Sequence, residues 1–319
     1  MRATVLAAVL VGSLFACLTP GLTNVIGDDD RKEIRENQKL INFTDAEVEQ
    51  AYRCTGRIYC PGANPDRGWG SKMSAGAICA PGFRNGETGP CAADRIASAL
   101  HMFVDKGTGK LIGQLEKCEF RSYRGHTSFL NVGDIRTFDP SGDETRNPYV
   151  NDRADKIVVR LLRPIPNCDP YDIASEEEQA EASGLEVVAL TRPQGDQGPE
   201  FTGHHPLAYP CTIKKRASAR KGGPSLFASD CDVNGGGSGG FTLFRRWRER
   251  GKLIVGGMFL GSGDIPMNGQ PYDVATKSFT MSVGTDGDFP VIARNPRTKK
   301  CYRSEGCEAS GQVRAKPPK

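Results

Sequence analysis

The sequence has no Cys-x-x-Cys pair and only four histidines among 319 residues. Structural zinc, which is held by sets of closely spaced thiolates and imidazoles, is therefore not expected. A charge of one sign is also missing from most of the chain. The formal net charge is +4, but residues 294–319 carry eight Lys or Arg against two Glu, which leaves the remainder slightly acidic. Without a basic excess in its folded part, the chain has no electrostatic case for a nucleic-acid partner. Long helical patterns are scarce and no internal repeat is visible. With 38 glycines and 21 prolines, the composition fits a β-rich, loop-rich fold of one large domain or two smaller ones.

The first 22 residues, "MRATVLAAVLVGSLFACLTPGL", place Arg2 before a mostly apolar run that stops at Pro20. The run is short for a membrane span, so residues 1–23 read as a secretory signal peptide. "LFAC", Leu14 to Cys17, loosely resembles a lipoprotein box, but Phe15 is bulky for one. Ten cysteines remain after Cys17: Cys54, Cys60, Cys79, Cys91, Cys118, Cys168, Cys211, Cys231, Cys301 and Cys307. An even number in an exported chain implies disulfides, up to five of them. Close spacing favours Cys54 with Cys60 and Cys301 with Cys307, although spacing alone leaves connectivity open. The basic tail, residues 294–319, reads as partly disordered.

Between these ends, Thr44 and Glu47 have capping-box spacing and predict a short helix within Asn42–Tyr52. "DKIVVRLLRPI", Asp155 to Ile165, is the strongest strand signal, rich in β-branched residues and stopped by proline. The acidic segment Asp172–Gly184 reads as a loop. "LEVVALTRP" from Leu185, "FTLFRRW" from Phe241 and "KLIVGGMFLGSG" from Lys252 read as strands. The natural division lies near residues 166–184, between two β-rich halves.

The stretch that carries chemistry is "SDCDVNGGGSGG", Ser229 to Gly240. It ends in five glycines around one hydroxyl, that of Ser238. A bland glycine-rich surface turn is one reading. The other is a nucleophile whose neighbouring glycines aim backbone N–H groups at a developing oxyanion. A serine nucleophile also needs a base and an acid that orients the base. His101, after the small, apolar run "IASAL", supplies the first, and Asp155, at the start of a strand, supplies the second. The order His, Asp, Ser is a known order for such a triad. His126, His204 and His205 lie in polar, loop-like sequence and are weaker candidates.

These segments resemble motifs of the trypsin/chymotrypsin superfamily, and most of all its bacterial secreted glutamyl endopeptidases. "SALH" resembles the family's Thr-Ala-Ala-His, "DKIVVRL" its aspartate-strand pattern, and "GGGSGG" its Gly-Asp-Ser-Gly-Gly. "NVIGDDDR" from Asn24 resembles the start of the mature glutamyl enzymes. The resemblance covers roughly residues 24–290.

It implies an all-β protease domain over residues 24–293, built as two antiparallel six-stranded β-barrels at about 24–166 and 184–293. The active site would sit in the cleft between them. It further implies a secreted serine endopeptidase in which His101 is the general base, Asp155 orients it and Ser238 attacks. The amides of Gly236 and Ser238 would form the oxyanion hole. Asp152 competes with Asp155, since "NDRA" also fits the family's pattern. Asp232, six residues before Ser238, stands where trypsin-like enzymes pair with a basic substrate side chain. Gly261, in "FLGSG", would line the pocket. The implied partners are protein or peptide substrates of a monomer, with no nucleic acid, no membrane span and no cofactor. Two departures, Leu100 beside the histidine and Gly237 in place of an acid, favour an alternative: an inactive homologue that binds proteins. A disulfide-stapled binding protein with a coincidental triad is a further alternative.

Overall fold

The computed structural model describes residues 25–26, 31–64, 69–79, 90–103, 115–136, 155–191, 205–217, 224–233, 237–246, 251–262, 268–270, 280–287 and 289–294. The signal, the tail with Cys301 and Cys307, Asp152, His204 and Gly236 lie outside these residues. So does the stretch 234–236 that opens the glycine-rich turn.

The chain enters through β1 (Val25–Ile26) and a short helix α1 (Ile34–Asn37) before α2 (Asp45–Cys54). The expected capping box is present. Thr44 accepts from the Glu47 amide, and the Glu47 carboxylate accepts from the Thr44 amide at 2.7 Å. Such a cap is worth about 1 kcal/mol to a helix start. Val48, Ala51, Tyr52 and Cys54 form the helix's buried side.

Six antiparallel strands follow: β2 (Thr55–Asn64), β3 (Trp69–Cys79), β4 (Arg95–Ser98), β5 (Glu119–Ser122), β6 (Thr127–Arg136) and β7 (Ile157–Leu161). Their pairing runs β2–β5–β6–β7–β4–β3 and returns to β2, which closes a six-stranded antiparallel barrel. Ile58, Met73, Ile96, Phe120, Leu130 and Val159 are buried in its apolar core. β7 is shorter than the span Asp155–Ile165 suggested. Leu162 is exposed and the following Arg163-Pro164 ends the pairing, while Asp155 and Lys156 precede the strand as buried residues.

β8 (Tyr171–Ile173) runs parallel to both β3 and a later strand, β13, and joins the two halves in one sheet. The acidic segment after it is not simply a loop. Ser175 and Glu178 form a second reciprocal cap, and α3 (Glu176–Ala180) starts there. Three glutamates in a first helical turn suit the positive end of a helix dipole, so acidity here marks a helix start.

The later strands are β9 (Glu186–Thr191), β10 (Leu207–Ala217), β11 (Leu226–Ser229), β12 (Phe241–Arg246), β13 (Lys252–Ser262), β14 (Asn268–Gln270) and β15 (Thr280–Gly284), followed by α4 (Phe289–Arg294). β14 pairs with β1. The rest pair antiparallel in the order β9–β10–β11–β15–β13–β12, with β12 also paired to β9. Tyr209, Ile213, Phe227, Phe244 and Phe259 pack together there.

Among the described residues, four disulfides join Cys54 to Cys168, Cys60 to Cys118, Cys79 to Cys91 and Cys211 to Cys231. The expected Cys54–Cys60 bridge is therefore wrong. Residues 55–60 are extended, which separates the two α-carbons by roughly 20 Å at the rise of a strand, far beyond the reach of a disulfide. Among the described residues, no helix is long and apolar enough to cross a membrane.

Candidate active site

Strand register explains why His101 and Asp155 meet. β4 and β7 pair with Ser98 opposite Ile157. Three residues on from Ser98, in a 3-10 turn over Leu100–Phe103, stands His101. Two residues back from Ile157 stands Asp155. The carboxylate takes both offered donors: Oδ1 accepts the His101 backbone N–H at 2.7 Å, and Oδ2 lies 2.6 Å from the ring Nδ1. A carboxylate accepts, so Nδ1 is the donor of this pair. The Asp155 side chain is 6% exposed and that of His101 is 15% exposed, so the histidine is the more open of the two.

Leu100 does not crowd this arrangement. It is buried in the apolar core, so its bulk fills the barrel instead. His126 sits in the turn between β5 and β6, where burial lowers its pKa. His205 bonds the Tyr52 hydroxyl through Nδ1.

Ser238 lies in a tight turn closed by the Gly240 amide on the Gly237 carbonyl at 2.8 Å. Its backbone carbonyl accepts from Ser74 of β3 at 3.0 Å. The next amide, that of Gly239, donates to Phe259 of β13 at 2.8 Å, and Phe259 donates back to Gly240 at 2.9 Å. The turn is thus fastened to both halves of the chain. The Ser238 hydroxyl donates to the Leu260 carbonyl at 3.1 Å.

The two glycines after the serine are packed against neighbouring atoms of the protein. Gly239 has φ of +81°, and a Cβ there would lie 2.2 Å from both the Ser74 carbonyl and the Ser98 hydroxyl. A Cβ on Gly240 would lie 2.8 Å from the Leu190 carbonyl. These glycines exist because protein backbone occupies the space a side chain would need.

Asp232 is 2% exposed and directly follows Cys231 of the Cys211–Cys231 bridge. Gly261 lies in β13 opposite Met281, just past an irregularity in register. Among the described residues, the pairing of β13 with β12 reaches only as far as Met258 opposite Phe241. Ser74, Ser98 and Leu260, which hold the Ser238 turn and its hydroxyl, were not found by sequence reasoning. Ser98 had one unused signal, as the first residue of "SALH". Ser74 had none. Among the described residues, no group of three or more His, Cys, Asp or Glu is placed to hold a metal ion.

Barrel, strand order and extra strands together fit the trypsin-like fold. A solved structure of a Glu endopeptidase in complex with MPD matches at a TM-score of 0.52 over 84% of this chain and 96% of that one, with 13% sequence identity. At that identity the likeness is one of fold. No family model matches the chain, and no curated protein matches it in sequence.

Proposed function

We propose that this protein is a secreted serine endopeptidase. The observation that carries the reading is the double anchoring of His101 on Asp155, in a fold shared with a peptidase. Nε2 of His101 takes the proton from the Ser238 hydroxyl as Oγ bonds to the peptide carbonyl carbon. The amides of Gly236 and Ser238 stabilise the resulting oxyanion. The intermediate collapses to an acyl-enzyme as the C–N bond breaks and the amine leaves with the proton from His101. Water then repeats the sequence and frees Ser238. Asp155 orients the ring and offsets its charge. The chemistry uses water alone and needs no cofactor.

In this reading the pairings of β9 to β13 and β15 form a second barrel. Residues 1–23 are the removed signal, residues 24–293 the protease domain and residues 294–319 a basic tail. Four disulfides fit an oxidising compartment. The substrate extends along β13 beyond Phe259, with Gly261 leaving its backbone open to pair with it. Asp232, a buried carboxylate, favours a cationic substrate side chain over an acidic one. That is the opposite of what the name of the matching Glu endopeptidase implies. Paired fluorogenic peptides ending in Arg or Glu decide between the two.

The hydrogen bond from Ser238 to the Leu260 carbonyl favours a second reading, a protease-like binding protein whose hydroxyl is parked. One experiment separates them. The chain without residues 1–23 is treated with a fluorophosphonate and mapped by peptide mass. Labelling at Ser238 that disappears in His101→Ala supports the hydrolase. Folded protein without label supports the binding protein.

A further inference from the structure

The Ser238 turn and the His101 segment are linked through one residue of β3. Ser74 gives its amide to the Ser238 carbonyl at 3.0 Å, and its own carbonyl accepts the Ser98 hydroxyl at 2.7 Å. Ser98 closes β4 three residues before His101. Both serines are buried, Ser74 at 3% and Ser98 at 1% exposure. The turn presses on the same point from its other side, since the space beside Gly239 is filled by the Ser74 carbonyl and the Ser98 hydroxyl.

The geometry points to Ser98 as a positioning residue, whose hydroxyl sets the spacing between His101 and Ser238 through the backbone of Ser74. This rests on the hydrolase reading of Ser238. Ser98 acts only through other residues. Without its hydroxyl, a buried carbonyl loses a donor, and the turn it adjoins can shift to satisfy that carbonyl otherwise. A displacement well under 1 Å lowers the rate of a reaction that depends on alignment. It leaves β13, which would bind the substrate, where it was. The loss therefore falls on the chemical step and spares affinity.

The test uses the chain without residues 1–23 and a fluorophosphonate, read as the maximal labelling rate and the half-saturating concentration. Ser98→Ala is expected to lower the maximal rate at Ser238 roughly tenfold, with half-saturation within about twofold of the parent. Ser98→Cys, nearly the same size but a weak donor, behaves like the alanine variant and decides the matter if that variant does not fold. Ser98→Thr, which keeps the hydroxyl, labels close to the parental rate. Equal rates in all four proteins overturn the inference. So does a threonine variant as slow as alanine, or a loss seen in half-saturation instead of rate. A parent that does not label at all removes the hydrolase reading, and this inference falls with it.

Discussion

His101 and Ser238 are held in place by different means. His101 is fixed by a charged side chain: Asp155 takes both its amide and its ring nitrogen, and β4 and β7 bring the two residues together. Ser238 is fixed by backbone: three amide–carbonyl bonds to β3 and β13, and glycines packed against neighbouring chain. Among the described residues, the histidine side also carries most of the covalent stapling: three disulfides lie between Cys54 and Cys168, and one, Cys211–Cys231, lies in the later half. A side-chain anchor fails by losing orientation. A backbone anchor fails by losing stability.

Substitutions on the two sides should therefore fail differently. The largest effect is expected at Asp155. Asp155→Asn keeps the shape but alters the donor pattern at Nδ1, so turnover should fall about 10⁴-fold while the melting temperature moves little. Steady-state kinetics beside thermal unfolding check this.

Disulfide removal comes next. Opening Cys54–Cys168 frees a loop with a sequence separation of 114, whereas Cys79–Cys91 spans only 12. Chain entropy gives about 5 kcal/mol for the first and about 3 kcal/mol for the second. Paired serine substitutions, followed by denaturant unfolding, should keep that order.

Gly239→Ala should cost at least about 2 kcal/mol, because the left-handed backbone and the collision with Ser74 add together. Its turnover should fall along with its stability, unlike that of Asp155→Asn.

The smallest effect lies away from the site, on α2. A hydrogen bond from Arg124, helped by Arg53, holds the Glu49 carboxyl at a pKa of about 2. A depressed carboxyl contributes stability that is fully present above its ordinary value near 4.5 and is lost as pH falls toward about 2. Solvent reaches this pair, so the contribution stays under about 1 kcal/mol. Unfolding midpoints below pH 4.5 should depend on pH less steeply in Glu49→Gln than in the parent.

The asymmetry also explains what was legible in the sequence. The capping box at Thr44 and the β-branched run at Ile157 are local patterns, so residue order reveals them. The pairing of His101 with Asp155 was reachable because "SALH" and "DKIVVRL" resemble two motifs of one family. The purpose of Gly239 was not. It depends on Ser74, which lies 165 positions earlier and carries no motif. The Cys54–Cys60 expectation failed for a related reason, since nearness in sequence is separation in space along an extended strand. In α3, glutamates that resemble solvated loop residues serve as a helix start. Composition and local period point to a β-rich fold and the family resemblance to its barrels, whereas the contacts that secure the Ser238 turn are long-range backbone contacts.

In the proposed mechanism, His101 and Asp155 activate Ser238 to form an acyl-enzyme. The most direct measurement is the first turnover with p-nitrophenyl acetate, using the chain without residues 1–23. The expected result is a burst of p-nitrophenolate close to one equivalent per chain, with an acetyl group mapped to Ser238 and both absent in Ser238→Ala. Folded protein that gives neither a burst nor an adduct at Ser238 would contradict it.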